Sequence, residues 1–345
     1  MTGVDTSAAG PSPHPRRLII ASELMYPELT STGYYVSAIA RDLATAVPVT
    51  VICGQPTYSA RGTRAPHRET WHGVDIRRCR GTTFDKNHVL GRLANMVTLG
   101  TSAFIAAWRT LGPGDVAFVF TNPPVLPALV AVACRWRGAA CVPVIHDHYP
   151  DLLVAAAGIS ERSVVARLLR AANRWLFAGA AQLAADPRFH LLVIGDGARR
   201  AWFEAGVRAR GLQNVSVLGP RPRAQQHEFL NACDIGLVTL VSGMWGVSVP
   251  SRLYNFLAAG KPILAVVEAG SEVDLVIREE AVGWSTPPGD VAAFVSAVRE
   301  ADDDAAALET MGRRARAAAD RAYAGPTSLA YYRGLALSLL GAGPR

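Results

Sequence analysis

The sequence has few cysteines and none in a telling pair. Five stand at positions 53, 79, 134, 141 and 233, with no CxxC among them. That spacing argues against a disulfide framework and against a zinc site, and it suits a reducing, cytoplasmic setting. No apolar run reaches the ~18–20 residues that a membrane-spanning helix needs. The run over 125–134 is short, and Arg135 and Arg137 follow it. No secretory signal is recognisable, since residues 1–15 are rich in Pro, Ser and Gly and read as a disordered leader. The GxSxG elbow, the HExxH helix and the Walker loop are all missing, so the hydrolase, metalloprotease and ATPase readings lose their support. No repeat of solenoid period is present.

What remains is a globular composition. Half of the 345 residues are hydrophobic and 18% are charged, enough for a sizeable core and for two domains. The net charge of +7 lies entirely in the first half. Residues 1–180 hold 18 Arg/Lys against 11 Asp/Glu, while residues 181–345 hold 17 of each. A basic surface suits nucleic acid, an anionic membrane face or a phosphorylated substrate, or is simply solvated. No pattern of aromatic platforms accompanies the arginines, which speaks against nucleic acid.

Short apolar runs alternate with helical periodicity through both halves. Residues 17–22 read as a buried first strand. A loop over 23–32 leads to Gly33, which opens a helix over 34–46, and residues 49–53 form the next strand. Residues 54–85 look irregular, with an edge strand from Val74. The stretch 89–111 is helical and amphipathic; packing against a sheet is the favoured reading over contact with lipid. Strands follow at 116–121 and 140–145, and a basic amphipathic helix at 162–180. Beyond it, strands at 191–194, 215–218, 235–239, 263–267 and 283–286 alternate with helices, and an apolar helix at 328–340 ends the chain. The pattern predicts two α/β domains joined near residue 180.

Three places carry candidate chemistry. His146 stands beside Asp147 and His148 at the end of a strand, the favoured location for active-site groups in an open parallel sheet. A histidine there serves in orienting or proton transfer, or simply bonds to nearby backbone. Gly195-Asp-Gly197 follows a strand and resembles the start of a dinucleotide fingerprint, but Arg200 replaces the third glycine, so nicotinamide binding is disfavoured. The third place is the stretch from Gly243 to Asp274. A loop of Gly and small residues runs through Gly246, Val247, Ser248 and Val249 into a short helix that Pro250 presets and Ser251 caps. Such a loop aims backbone N–H groups at an anion, and Ser248 and Ser251 add hydroxyls. Asn255 lies one turn after Ser251 on the same face. Lys261 follows the helix end, where a cation suits the dipole.

Residues Gly243 to Pro262 resemble the donor-binding segment of glycosyltransferase family 4. The likeness is greatest to the branch that builds O-antigen and capsular polysaccharide, including fucosamine-transferase-like enzymes. Leu192 to Gly197, Thr121-Asn-Pro-Pro124, His146 to Asp151 and Thr32-Gly33 are similar to further motifs of that family. The resemblance covers the chain from Arg17 onward. It implies a GT-B fold, two Rossmann-like domains with parallel sheets facing across a cleft. It divides the chain into an acceptor domain over 16–180, a nucleotide-sugar domain over 181–325 and a crossover helix over 326–345. It further implies a retaining transfer from a nucleotide-diphosphate sugar to a lipid-linked or polysaccharide acceptor, with no metal and no cofactor. In that reading His146 and Asp147 are catalytic. Gly33, Gly195, Gly246, Val247, Ser248, Val249, Pro250, Ser251 and Asn255 hold the donor. A peripheral contact with the inner membrane face fits a lipid-linked acceptor.

Against the family pattern, the first strand of the second domain and a following loop with an Arg and a Lys are missing at Ala180–Ala181. Those cations offset charge on the leaving diphosphate, and losing one such group typically costs ~10²–10³ in rate. Two alternatives to an active transferase therefore stand: an impaired relative that only binds ligand, and a GT-B nucleotide-sugar epimerase.

Overall fold

The computed structural model describes residues 16–28, 30–56, 64–84, 89–145, 177–196, 200–246 and 249–341. Contacts divide the chain into two compact units, residues 1–147 with 329–345, and residues 148–328. The division falls after Asp147, whereas the sequence pattern places the joint near residue 180.

The first unit is built on a six-stranded sheet. Its strands are β1 (Leu18–Ala21), β2 (Val49–Cys53), β3 (Arg68–Trp71), β4 (Val74–Arg78), β5 (Val116–Phe120) and β6 (Ala140–Val144), in the order β3-β4-β2-β1-β5-β6. All neighbours are parallel except β3 and β4. The runs Leu18–Ala21 and Val116–Phe120 are buried at every position because helices cover both faces of the sheet. Helix α1 (Ser31–Leu43) packs on one face, with Phe118, Phe120 and Val36 in that core. Helices α2 (Val89–Thr110) and α3 (Leu126–Arg137) cover the other, burying Leu99, Ala103, Ala107 and Val130. Each large side chain so enclosed contributes roughly 1.5–3 kcal/mol relative to exposure.

The antiparallel β3 was not visible in the sequence, which reads as irregular there. A tight turn at His72-Gly73, with φ of 47° and 80°, makes the hairpin. This leaves β3 at the edge and moves β4 inside. Residues from Leu329 onward belong to this first unit. Ala336 and Leu340 enter the same core as Phe118, and Arg333 donates to Asp42.

The order of strands reverses between β1 and β5, so a crevice opens at their C-terminal ends. The loops after these strands are joined there, since the Glu23 amide donates to the Asn122 carbonyl at 2.9 Å.

The second unit has two parallel sheets. One pairs β7 (Leu191–Ile194) with β8 (Val215–Leu218), and the other runs β11-β10-β9 (β9 Gly236–Thr239, β10 Ile263–Val266, β11 Gly283–Thr286). Among the described residues no ladder joins β7 to β9. Helix α4 (Arg200–Ala209) packs Trp202 and Phe203 against Phe177. After α5 (Gln226–Asn231), helices α6 (Arg252–Ala258), α7 (Glu272–Glu280), α8 (Val291–Asp303) and α9 (Ala305–Ala318) enclose β9–β11. Helix α10 (Gly325–Leu339) closes the chain. Three of the second unit's helices, α7, α8 and α9, start where short polar side chains meet free amides. Ser271, Asp290 and Asp304 accept from the amides of Asp274, Ala293 and Ala307. Each such cap is worth about 1 kcal/mol.

Candidate functional site

Strands β9 and β10 end level with each other, because Thr239 is registered against Val266. The loops that leave them emerge side by side at the carboxyl ends of parallel strands, where open α/β sheets bind ligands. The loop after β9 turns at Gly243 and Gly246, whose φ values of +85° and +70° lie in the left-handed region. Nothing stands within 4 Å of a Cβ built on either, so the backbone conformation, and not crowding, asks for glycine.

One carboxylate ties this loop to the next. Glu268 Oε2 accepts from the Gly243 amide at 3.0 Å and the Trp245 amide at 3.4 Å. In return the Trp245 indole donates to the Gly270 carbonyl at 3.0 Å. Two amides of one loop thus already converge on an anion, the chain's own. The turn carrying Glu268 is itself fixed from below. Asp274, buried on α7, accepts from the Gly270 amide at 2.6 Å and from Arg278 at 2.6 Å. Ser271 accepts from the Asp274 amide and so caps α7.

The loop then enters α6, and here the structure corrects one expectation. Ser251 stands at the N-cap position but has helical dihedrals, and its side chain makes no capping bond. The Pro250 carbonyl instead accepts the Leu253 amide, so the first turn closes through backbone and the exposed Ser251 hydroxyl is unused among the described residues. Asn255 follows one turn later, its amide N–H donating to the Ser251 carbonyl at 3.4 Å, and its side chain is uncommitted among the described residues. Val249 is exposed and Pro250 half-buried beside them. Lys261 donates to the Asn231 carbonyl at 3.4 Å beyond the helix end, a packing role. Tyr254 packs at a tilt on Tyr323, and burial, aided by the negative charge of Glu272, pushes its pKa up to about 12. It is therefore a neutral packing group and no base.

Gly246, Val249, Pro250, Ser251 and Asn255 thus share one loop and helix. Val247 and Ser248 lie outside the described residues, as do His146 and Asp147. Gly195 ends β7 in the other sheet, its carbonyl accepting from Arg200 at 3.1 Å. Because Arg200 is also paired with Glu204 at 2.8 Å, it is held away from any anion role. Gly33 belongs to the first unit. Its amide donates to the Thr30 hydroxyl at 3.3 Å, and a Cβ there would stand 2.8 Å from the Glu28 carbonyl. Close packing against Glu28 accounts for this glycine without a ligand.

Three residues escaped the sequence reading. Glu268 and Trp245 are 23 positions apart, and only the level ends of β9 and β10 bring them together. Arg252, on the first turn of α6, has no acidic partner among the described residues. Its signal is its place beside Ser251, whereas the family pattern puts the cations upstream, before Leu191. Among the described residues no cluster of His, Cys, Asp or Glu is arranged to hold a metal ion. The first unit adds a small concavity at the ends of β1, β2 and β4, lined by Glu23, Gln55, Cys79, Asn95 and Leu99 among others.

Comparison with known proteins gives this geometry a context. Residues 163–318 match the model of the family described as Glycosyl transferases group 1. A protein of Pseudomonas aeruginosa described as the probable glycosyltransferase WbjE is 24% identical over 367 residues, covering 82% of this chain and 89% of its own length. Among solved structures, a sucrose-phosphate synthase from Thermosynechococcus elongatus superposes with a TM-score of 0.66 at 14% identity, covering 95% of this chain and all of that one. WaaG, described as a glycosyltransferase involved in lipopolysaccharide biosynthesis, superposes at 0.59 with 15% identity, covering 94% of this chain and all of that one. These likenesses establish a GT-B fold, and the family match makes the second unit the bearer of a group 1 glycosyltransferase domain.

Proposed function

We propose that this glycosyltransferase moves a sugar, with retention of configuration, from a nucleotide-diphosphate sugar to a lipid-linked or polysaccharide acceptor in cell-surface glycan synthesis. The observation that carries the reading is the pair of stitched loops at the ends of β9 and β10. Together they present the Ser251 hydroxyl, the Arg252 cation and the Asn255 carboxamide along one short helix, none of them paired among the described residues. The diphosphate is assigned to the backbone from Gly246 to Val249 and to the Ser251 hydroxyl, with Arg252 offsetting its charge. Asn255 is assigned to the ribose hydroxyls. Glu268 holds the loop in place and does not touch the phosphates, which its charge would repel. His146 and Asp147 are proposed at the reacting sugar, and Gly33 and Gly195 as further donor contacts. The acceptor is assigned to the first unit. The branch closest in kind is the fucosamine-transferase-like group of family 4, and a peripheral contact with a membrane fits a lipid-linked acceptor.

A second reading has its own support. The alignment to the Pseudomonas relative runs over 367 positions yet takes in only 82% of a 345-residue chain. Roughly 80 of its positions thus have no counterpart here. Among the described residues no ladder joins β7 to β9, and a lost first strand of this domain would leave a gap at that place. On this reading the chain keeps the ligand loops but lacks cations needed for turnover. Incubating the purified chain with a panel of nucleotide sugars and polyprenyl-phosphate-linked acceptors separates the two. Acceptor-dependent release of nucleoside diphosphate, lost in His146→Ala, establishes transfer. Tight binding without release establishes the impaired relative, and conversion of donor alone would reveal an epimerase.

A further inference from the structure

Helix α2 has two apolar sides, and only one is used. Leu99, Ala103, Ala107 and Leu111 face the sheet and are buried. On the opposite side Leu90 is 81% exposed, Val97 54% and Trp108 45%, with Leu93 and Ile105 also exposed between them. Their spacing places all five on one stripe along a 22-residue helix. Helix α3 extends the stripe, because Trp136, itself exposed, meets the Phe104 ring edge-on at 5.8 Å. Single exposed apolar residues are ordinary, but a stripe broken only by Thr101 and ending in two tryptophans marks a surface that binds something.

The charge beside the stripe says what. Between Val89 and Arg137 the sequence has four arginines and one acidic residue, Asp115. Asp115 is buried and bonded to Arg17 at 2.9 Å, so it contributes no negative charge to this face. Arg109 and Arg135 are exposed and have no acidic partner among the described residues. A second copy of this chain would set these arginines against each other. No helix among the described residues is long and apolar enough to cross a membrane, so the stripe lies along a surface. Tryptophan, leucine and arginine on one face of a helix are what an anionic bilayer surface takes up: rings and aliphatic groups enter the headgroup boundary while guanidinium groups meet phosphates.

We infer that the outward face of α2 and α3 docks this protein on an anionic lipid surface. The inference stands on exposure and charge, so it survives or falls apart from the sugar-transfer reading. The experiment is sedimentation of the full chain with vesicles of phosphatidylglycerol and phosphatidylethanolamine, against vesicles of phosphatidylcholine, with no sugar donor present. The chain should sediment with the anionic vesicles alone, and less so as salt is raised. Replacing Arg109 and Arg135 by Gln should weaken partition about fivefold for each arginine. The triple change Leu93→Ser, Val97→Ser and Trp108→Ser should weaken it more than about tenfold, because the inserted apolar area is lost. All five positions are exposed, and circular dichroism with a melting curve checks that each variant is folded. Absence of sedimentation, or sedimentation that both variants retain in full, overturns the inference. So does a dimer in light scattering that the triple variant converts to monomer, which would make this face a contact between copies.

Discussion

Replacing Glu268 by Ala probes the centre of the site without touching its proposed ligand contacts. The change removes the acceptor for two amides, Gly243 at 3.0 Å and Trp245 at 3.4 Å, and leaves the indole bond to Gly270 in place. Both amides are on an exposed loop, so water replaces the carboxylate and neither is left orphaned. A net value of about 0.5–1 kcal/mol for each bond is appropriate there, the lower part of the usual range. The loop thus loses about 1–2 kcal/mol of preorganisation, which appears as a rise of about 5–30-fold in the dissociation constant for a nucleoside diphosphate. Glu268→Gln keeps an oxygen acceptor and loses only the charge, so about half the effect should remain. The melting temperature should hold, because the core of β9 and β10 is untouched. Titration calorimetry with UDP, GDP, ADP and dTDP reads the affinity, and a melting curve reads the fold. Tighter binding in Glu268→Ala would refute the reasoning, since it would mean that the carboxylate competes with phosphate for those amides.

Other consequences follow from particular residues. Arg252→Ala should weaken a nucleoside diphosphate about tenfold while leaving the matching nucleoside unchanged, as expected of a charge-assisted phosphate contact; equal loss for both would remove Arg252 from the diphosphate. Gly236→Ala sets a methyl 2.3 Å from the Phe256 ring and should cost about 1–3 kcal/mol in urea unfolding, with partial recovery on adding Phe256→Leu. Unchanged stability would show that β9 is looser than described. Burial raises the thiol of Cys53 to about 12 and that of Cys79 to about 11, from 9.0. Cys141, half-buried and accepting from the Cys134 thiol, is lowered. Brief alkylation at pH 8 should therefore reach Cys141 before Cys53 or Cys79, as peptide mass spectrometry would read. Because the folded-state values of Cys53 and Cys79 lie above the unfolded ones, their contribution to stability is full below pH 9 and is lost as pH rises toward 11–12.

The parallel strands were legible because each is a short apolar run bounded by turn residues, and every run read as a strand is one in the structure. The hairpin of β3 and β4 was not, because Arg68–Trp71 has no apolar alternation and its tight turn puts a histidine, not the usual Asn or Asp, before Gly73. The loop and helix from Gly246 to Asn255 were legible from glycine and hydroxyl residues packed into ten positions. Glu268 was not, because its partners are fixed by the register of two strands, a property of pairing that no local pattern records. Ser251 shows the reverse case. Its type and place announce a cap, yet the turn closes through Pro250 and the hydroxyl makes no capping bond. The second side of α2 also needed the structure. Its apolar residues read as core in the sequence, and only their exposure separates the stripe that packs from the stripe that does not.

The central claim is that the loop and helix after β9 hold the diphosphate of a nucleotide sugar. Titration of the full chain with UDP, GDP, ADP and dTDP, repeated on the double variant Ser251→Ala, Asn255→Ala, tests it most directly. The account predicts that at least one of the four binds at one site per chain. The double variant should bind it about tenfold or more weakly while melting at the same temperature, since two hydrogen bonds of ~1 kcal/mol each are removed from a folded site. No binding by any of the four, or binding that the double variant keeps unchanged, would contradict it.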